Sequence, residues 1–253
     1  MDWERRIENY VRETGFPKSL FISEDGRVVG TWIMGNDYRV KSAYYGGYPA
    51  GYLRRIRALF PDKRRALHLF SGKVDLEALP GDTVDINPRL HPTYVDNAQT
   101  LKRVPLQSYD LILADPPYSI EDAERYQTTM VKRNTVLRAL QDASPGTHIV
   151  WLDQVLPMYR KDAFAIDGVI GMVKSTNHRF RIVTIFRRLA SMREPALSYV
   201  KKSANRKDES AMQPDLEAAT PLLHHWSSNL GSRPRCAKLS FRRKPNPCSA
   251  NSD

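Results

Sequence analysis

Four short apolar runs constrain this chain more than any other feature: RALHLF (65–70), DTVDI (82–86), YDLILA (109–114) and THIVWL (147–152). They are too apolar throughout to be half-exposed, so each is read as a strand buried on both faces. Strands buried twice need cover on both sides, which a parallel sheet with crossover helices supplies. Between the last two runs, roughly residues 121–141 have helical spacing. VIGMVK and RFRIVTIFRR flank Ser175-Thr176-Asn177-His178 and predict two antiparallel strands at an edge of the sheet. The expected fold class is α/β, with a mostly parallel sheet, an antiparallel terminal hairpin and helices on both faces.

Upstream, Trp3, Ile7, Tyr10 and Val11 recur at helical spacing, and Gly15 and Pro17 end that helix. LFIS and RVVGTWIM flank Glu24-Asp25-Gly26, a hairpin signal because Asp-Gly tolerates the positive φ of a tight turn. An aromatic, glycine-rich stretch follows, SAYYGGYPAGY (42–52), and then the basic helical segment LRRIRALF. The expected organisation is an N-terminal helix and hairpin appendage (1–41), a central domain (42–190) and a tail (191–253). The tail is rich in Lys, Arg, Ser, Asn and Pro with little to bury, so it is expected to be mostly disordered apart from one short helix near 214–224.

Charge gives nucleic acid a modest lead as partner. The chain holds 39 Lys/Arg against 28 Asp/Glu, a net +11. Residues 191–253 hold 11 and 6 of these, leaving 28 against 22, or +6, for the body. No run approaches the roughly 18 apolar residues of a membrane span. The charged start has no apolar stretch behind it, so a cytoplasmic protein without a signal peptide is expected. Both cysteines, Cys236 and Cys248, lie in the tail, which excludes a disulfide framework in the body. With His224 and His225 they match no zinc-finger spacing, and no metal is expected.

Asp115-Pro116-Pro117-Tyr118 stands at the end of the run LILA, and in an open parallel sheet ligands bind beyond the carboxyl ends of strands. A residue before proline is pushed toward extended geometry, so Asp-Pro-Pro leaves the strand as a stiff arm. The prolines offer carbonyl acceptors and no N–H, and Asp115 adds a carboxylate acceptor. Acceptors converging on one point suit an NH₂ group. Tyr118 offers a flat face on which a base could stack, worth about 1–3 kcal/mol. Two N–H hydrogen bonds would localise the lone pair that an aromatic amine otherwise delocalises into its ring. Taken alone, the same tetrapeptide also reads as a strand terminator with a packed tyrosine.

LILADPPYS resembles the catalytic motif of the S-adenosylmethionine-dependent amino-methyltransferases, which make N6-methyladenine or N4-methylcytosine. RALHLFSGK (65–73) resembles their first strand and glycine loop, and DTVDIN (82–87) their second strand with its ribose-binding acid. YVDNAQTL (94–101) resembles the segment beside the cofactor's adenine, and THIVWLDQVLP (147–157) a fifth strand. YYGGYPAGYLRR loosely resembles a segment that closes over the cofactor. The likeness covers roughly residues 42–190. It implies a Rossmann-like methyltransferase fold and S-adenosyl-L-methionine as cofactor. Catalytic roles then fall to Asp115, Pro116, Pro117 and Tyr118. Cofactor-binding roles fall to Phe70, Ser71, Gly72, Asp85, Tyr45 and either Asp96 or Asn97.

The departures lie in the glycine loop. His68 stands where the family is usually acidic, and Val74 where it has a second glycine; Asp75 is a candidate to compensate. Asp at the first motif position leans toward adenine, so the expected reaction is N6-adenine methylation of DNA, with the base flipped from the stack. RNA, cytosine N4, and a non-catalytic nucleic-acid-binding protein on a degenerate fold stay open. The tyrosines Tyr44, Tyr45 and Tyr48 are candidates for a pocket or for core packing. Arg54, Arg55 and Arg57, and the HRFR segment (178–181), are candidates for phosphate contact or for solvated faces.

Overall fold

The computed structural model describes residues 1–35, 47–125, 128–174 and 179–190. The predicted tail, its short helix, and Tyr44 and Tyr45 lie outside the described residues.

The N-terminal helix α1 (Trp3–Thr14) starts where the Asp2 carboxylate accepts the Arg5 N–H and stops at Gly15, whose φ of 74° lets the chain leave left-handed. Next come β1 (Leu20–Ile22) and β2 (Val28–Met34), antiparallel and joined by the predicted Asp-Gly turn. Helix α2 (Tyr52–Leu59) leads into β3 (Ala66–Leu69), β4 (Asp82–Asp85) and the two-residue β5 (Tyr94–Val95). Strand β6 (Leu111–Ala114) is followed by α3 (Ile120–Arg125) and α4 (Arg133–Ala139), then β7 (His148–Asp153), β8 (Phe164–Lys174) and β9 (Phe180–Arg188). Each apolar run singled out in the sequence is a strand.

All nine strands form one mixed sheet in the order β1-β2-β8-β9-β7-β6-β3-β4-β5. The block β7-β6-β3-β4-β5 is parallel throughout, while β9 runs antiparallel to both of its neighbours. The order is consistent with a Rossmann-like methyltransferase fold. The terminal hairpin is not the edge that the sequence suggested. β2 continues the sheet beyond it, hydrogen-bonded in parallel to β8 from Val28↔Gly168 to Met34↔Lys174. The expected single helix over 121–141 is two helices, and the link between them carries Thr128 and Thr129, β-branched residues with weak helix propensity.

Along β3, β6 and β7 alternate side chains enter two separate cores. Leu111, Leu113, Val150 and Leu152 join Ile56 and Leu59 of α2 and Tyr10 of α1. Leu67, Leu69, Ile112, Ile149 and Trp151 join Val136 and Leu137 of α4. Trp32 is wholly buried in the first core, stacked on Tyr10 (6.1 Å, 14°) and edge-on to Tyr52. Such ring pairs add about 0.5–1.5 kcal/mol each beyond burial. Helices cover both faces over this half. Over β1, β2 and β8 the far face leaves Phe21, Ile33 and Val169 exposed, so the expectation of two covered faces holds for part of the sheet only. Among the described residues, no helix is long and apolar enough to cross a membrane.

Candidate active site

Counting outward, β5-β4-β3 run one way from the middle of the sheet and β6-β7 the other, so the order reverses between β3 and β6. At such a switch point the two connections leave to opposite sides and open a crevice at the carboxyl ends. Here that crevice encloses about 680 Å³, part of it open to solvent. Its walls bring together Phe70, Gly72, Asp85, Asp96, Asn97, Asp115 and Pro117, seven of the residues singled out in the sequence.

The β3 loop is tightly drawn. Phe70 has a φ of 56° and Gly72 of 52°. For phenylalanine that is a strained region, costing of order 1–3 kcal/mol. Two hydrogen bonds tie the loop to β4: the Ser71 N–H donates to the Val84 carbonyl (3.1 Å), and the Gly72 N–H to Asp85 Oδ2 (3.0 Å). Asp85 Oδ1 accepts the Asn87 N–H (2.9 Å). Asp85 is thus both a wall of the crevice and a brace for the loop. Ser71 differs from its neighbours: its hydroxyl is buried without a partner among the described residues, and its side chain is not part of the wall.

On the next strand tip, Asp96 accepts the N–H groups of Asn97 (2.7 Å) and Arg103 (2.7 Å), and Asn97 Oδ1 accepts that of Gln99 (2.9 Å). The crevice is closed by Thr128, Thr129 and Val131, which sequence reasoning missed because it read that stretch as helix interior. The Lys132 N–H donates to the Gln99 side chain (3.0 Å), fastening this link across the opening.

At the tip of β6, Asp115 and Pro117 face the crevice, whereas Pro116 is buried and Tyr118 is turned aside. The Tyr118 hydroxyl donates to Asp115 Oδ1, and the Arg181 guanidinium lies 4.5 Å from its ring centre. One face of the ring is therefore covered. Burial pushes the Asp115 carboxyl up to about 7, against the pull of Arg181 and the Tyr118 hydrogen bond; the carboxylates of Asp153 and Asp122 add to the rise. Tyr48 and Tyr52 stack beside it (5.2 Å, 15°), and burial, with Asp115 adding to it, drives both phenols well above their ordinary value.

The departures in the loop also have physical accounts. His68 is fully buried, its ring 6.2 Å from that of Tyr48, with Nε2 3.1 Å from the Leu79 carbonyl. Burial lowers it to about 4, so it is neutral at pH 7 and its Nε2–H donates to that carbonyl. It does not line the crevice. Val74 packs against the first core, and Asp75 accepts the N–H groups of Glu77 and Ala78, capping its own turn. Arg55 is buried against Phe16 (4.3 Å) and serves the fold, while Arg54 donates to the Glu13 carbonyl.

No protein-family model matches this chain, and no curated protein matches it in sequence. Among solved structures, the crystal structure of N-methyltransferase NodS from Bradyrhizobium japonicum WM9 is similar over 55% of this chain and 93% of that one. The identity is 13% and the TM-score 0.38, too low to carry an argument about fold or chemistry. The strand order and the crevice carry that argument instead.

Proposed function

We propose that this protein is an S-adenosylmethionine-dependent methyltransferase acting on the exocyclic amine of a nucleic-acid base, with N6 of adenine in DNA as its substrate. One observation carries the reading. The glycine loop, the acid ending β4 and the Asp-Pro-Pro elbow, far apart in sequence, form the wall of a single crevice at the topological switch point.

The donor set suits the cofactor that the resemblance implies. Each Asp85 oxygen accepts one N–H, which leaves lone pairs on both for ribose hydroxyls. Asn97 lines the crevice, and its NH₂ group would donate to an adenine ring nitrogen. When bound, the cofactor supplies an electrophilic methyl group on a cationic sulfur. Of the residues expected to contact it, Ser71 has its N–H already engaged by Val84 and its hydroxyl away from the wall.

Asp115 is the acceptor for the amine. Tyr118 occupies one carboxylate oxygen and leaves the other open to an N–H donor. An ionised carboxylate accepts; a protonated one is a poorer acceptor, so transfer should rise as pH climbs through about 7. Excess positive charge on the body favours a polyanionic substrate.

The test is product analysis: transfer of labelled methyl from S-adenosylmethionine to DNA, then digestion to nucleosides. Labelled N6-methyl-2′-deoxyadenosine is the expected product. Label in N4-methylcytosine or only in RNA would replace the substrate. Absence of cofactor uptake by calorimetry would instead favour a non-catalytic protein on this fold.

A further inference from the structure

Arg181, the last residue of the HRFR segment, does not line the crevice, yet it reaches the elbow from two strands away. The second residue of β9, it stands opposite Met172 of β8, and its guanidinium lies over the ring of Tyr118, beyond β7. Its Nε is buried with no hydrogen-bond partner among the described residues. Tyr118 in turn donates to Asp115. A chain of contact thus runs from guanidinium to ring to carboxylate.

We infer that Arg181 is a positioning residue for the Asp115–Tyr118 pair, holding the tyrosine ring so that its hydroxyl orients the carboxylate, and setting positive charge against that carboxylate. This rests on the reading that Asp115 accepts the substrate amine.

The surroundings of Asp115 explain why such a charge is needed. Tyr48 and Tyr52 face it from α2 and its approach, Asp122 from α3, Asp153 from β7, Tyr118 from its own elbow and Arg181 from β9. The phenols are neutral at pH 7, and the two acids repel a third negative charge. Asp153 is matched by Arg133 of α4. Arg181 is the group in this set that favours an ionised Asp115 through space. A carboxyl left protonated would turn one oxygen into a donor and would accept less strongly from Tyr118 and from an amine. The planar guanidinium also suits a flat ring, which an ammonium does not match.

The experiment compares full-length wild type with R181M, R181K and, should R181M not fold, R181Q. The Asp115 carboxyl is followed by NMR of protein carrying ¹³C-labelled aspartate, without substrate, and methyl transfer to DNA is followed against pH. In R181M the Asp115 titration should move upward by about one pH unit or more. The activity midpoint should follow it, lowering kcat at pH 7 about fivefold. R181K should restore the titration while leaving KM raised, because the charge returns without the plane. An Asp115 titration that is unmoved in R181M or R181Q, or that R181K fails to restore, overturns the inference. A shifted titration in a protein whose wild type methylates no nucleic acid supports the coupling and overturns the functional reading, so the two failures are told apart.

Discussion

Two carboxylates end adjacent strands of this sheet and live under opposite regimes. Asp153, at the tip of β7, is fully buried and saturated. It accepts from Arg133 Nε (2.6 Å) and a second Arg133 nitrogen (3.0 Å), from the Trp151 indole (3.1 Å) and from the Gln154 N–H (2.7 Å). Asp115, one strand away at the tip of β6, has one donor among the described residues, the Tyr118 hydroxyl, and faces the crevice. A saturated acid fastens α4 to the sheet; an unsaturated one at a strand tip can still accept a ligand. The difference separates structure from chemistry at two otherwise similar positions.

The comparison can be broken most forcefully at Asp153. Asp153→Ala should cost about 3–5 kcal/mol in denaturant unfolding, because the Arg133 guanidinium and the indole N–H lose their shared partner. A variant that keeps its stability would put Asp153 on the side of chemistry. Asp115→Ala should do the reverse: methyl transfer falls about 10²–10³-fold while the unfolding midpoint stays level or rises. Equal loss of both properties would erase the contrast.

A gentler probe uses pH. The folded Asp115 carboxyl titrates near 7, above its ordinary 3.8, so the native state binds the extra proton between those values. The associated stability is complete below about 3.8 and is lost as pH rises through about 7. Asp115→Asn, which cannot ionise, should therefore gain on wild type as pH rises, by about 2–4 kcal/mol at pH 8 and by little at pH 4. Thermal melts at the two pH values measure it, and an advantage independent of pH would remove the burial argument.

Part of this contrast was legible in the sequence. Asp115 stands out through the Asp-Pro-Pro-Tyr sequence at the end of a buried strand taken with the family resemblance of its surroundings, and Gly72 and Asp85 come from that resemblance. Asp153 also ends a strand, but its role is decided by Arg133, and no spacing rule links those two residues. The same limit hid Arg181, which meets Tyr118 across β7. It also hid the break at 128–132, where the side chain of Gln99 competes with helix formation for the Lys132 N–H. Strand β2 reads from sequence as half of a local hairpin; its parallel register with β8 is a pairing between distant segments that local pattern does not encode.

That register has a consequence for how the protein is made. Strand β2 is translated long before the neighbour that completes its hydrogen bonds, from Gly168 to Lys174. Until then β2 exposes a bare row of amides and carbonyls, a template for pairing with any other extended chain. A contact so far apart in sequence is slow to close, so folding should be late and cooperative rather than progressive. A ribosome stalled before Phe164 would hold the β1–β2 hairpin without β8 and β9, the two strands that link it to the parallel block.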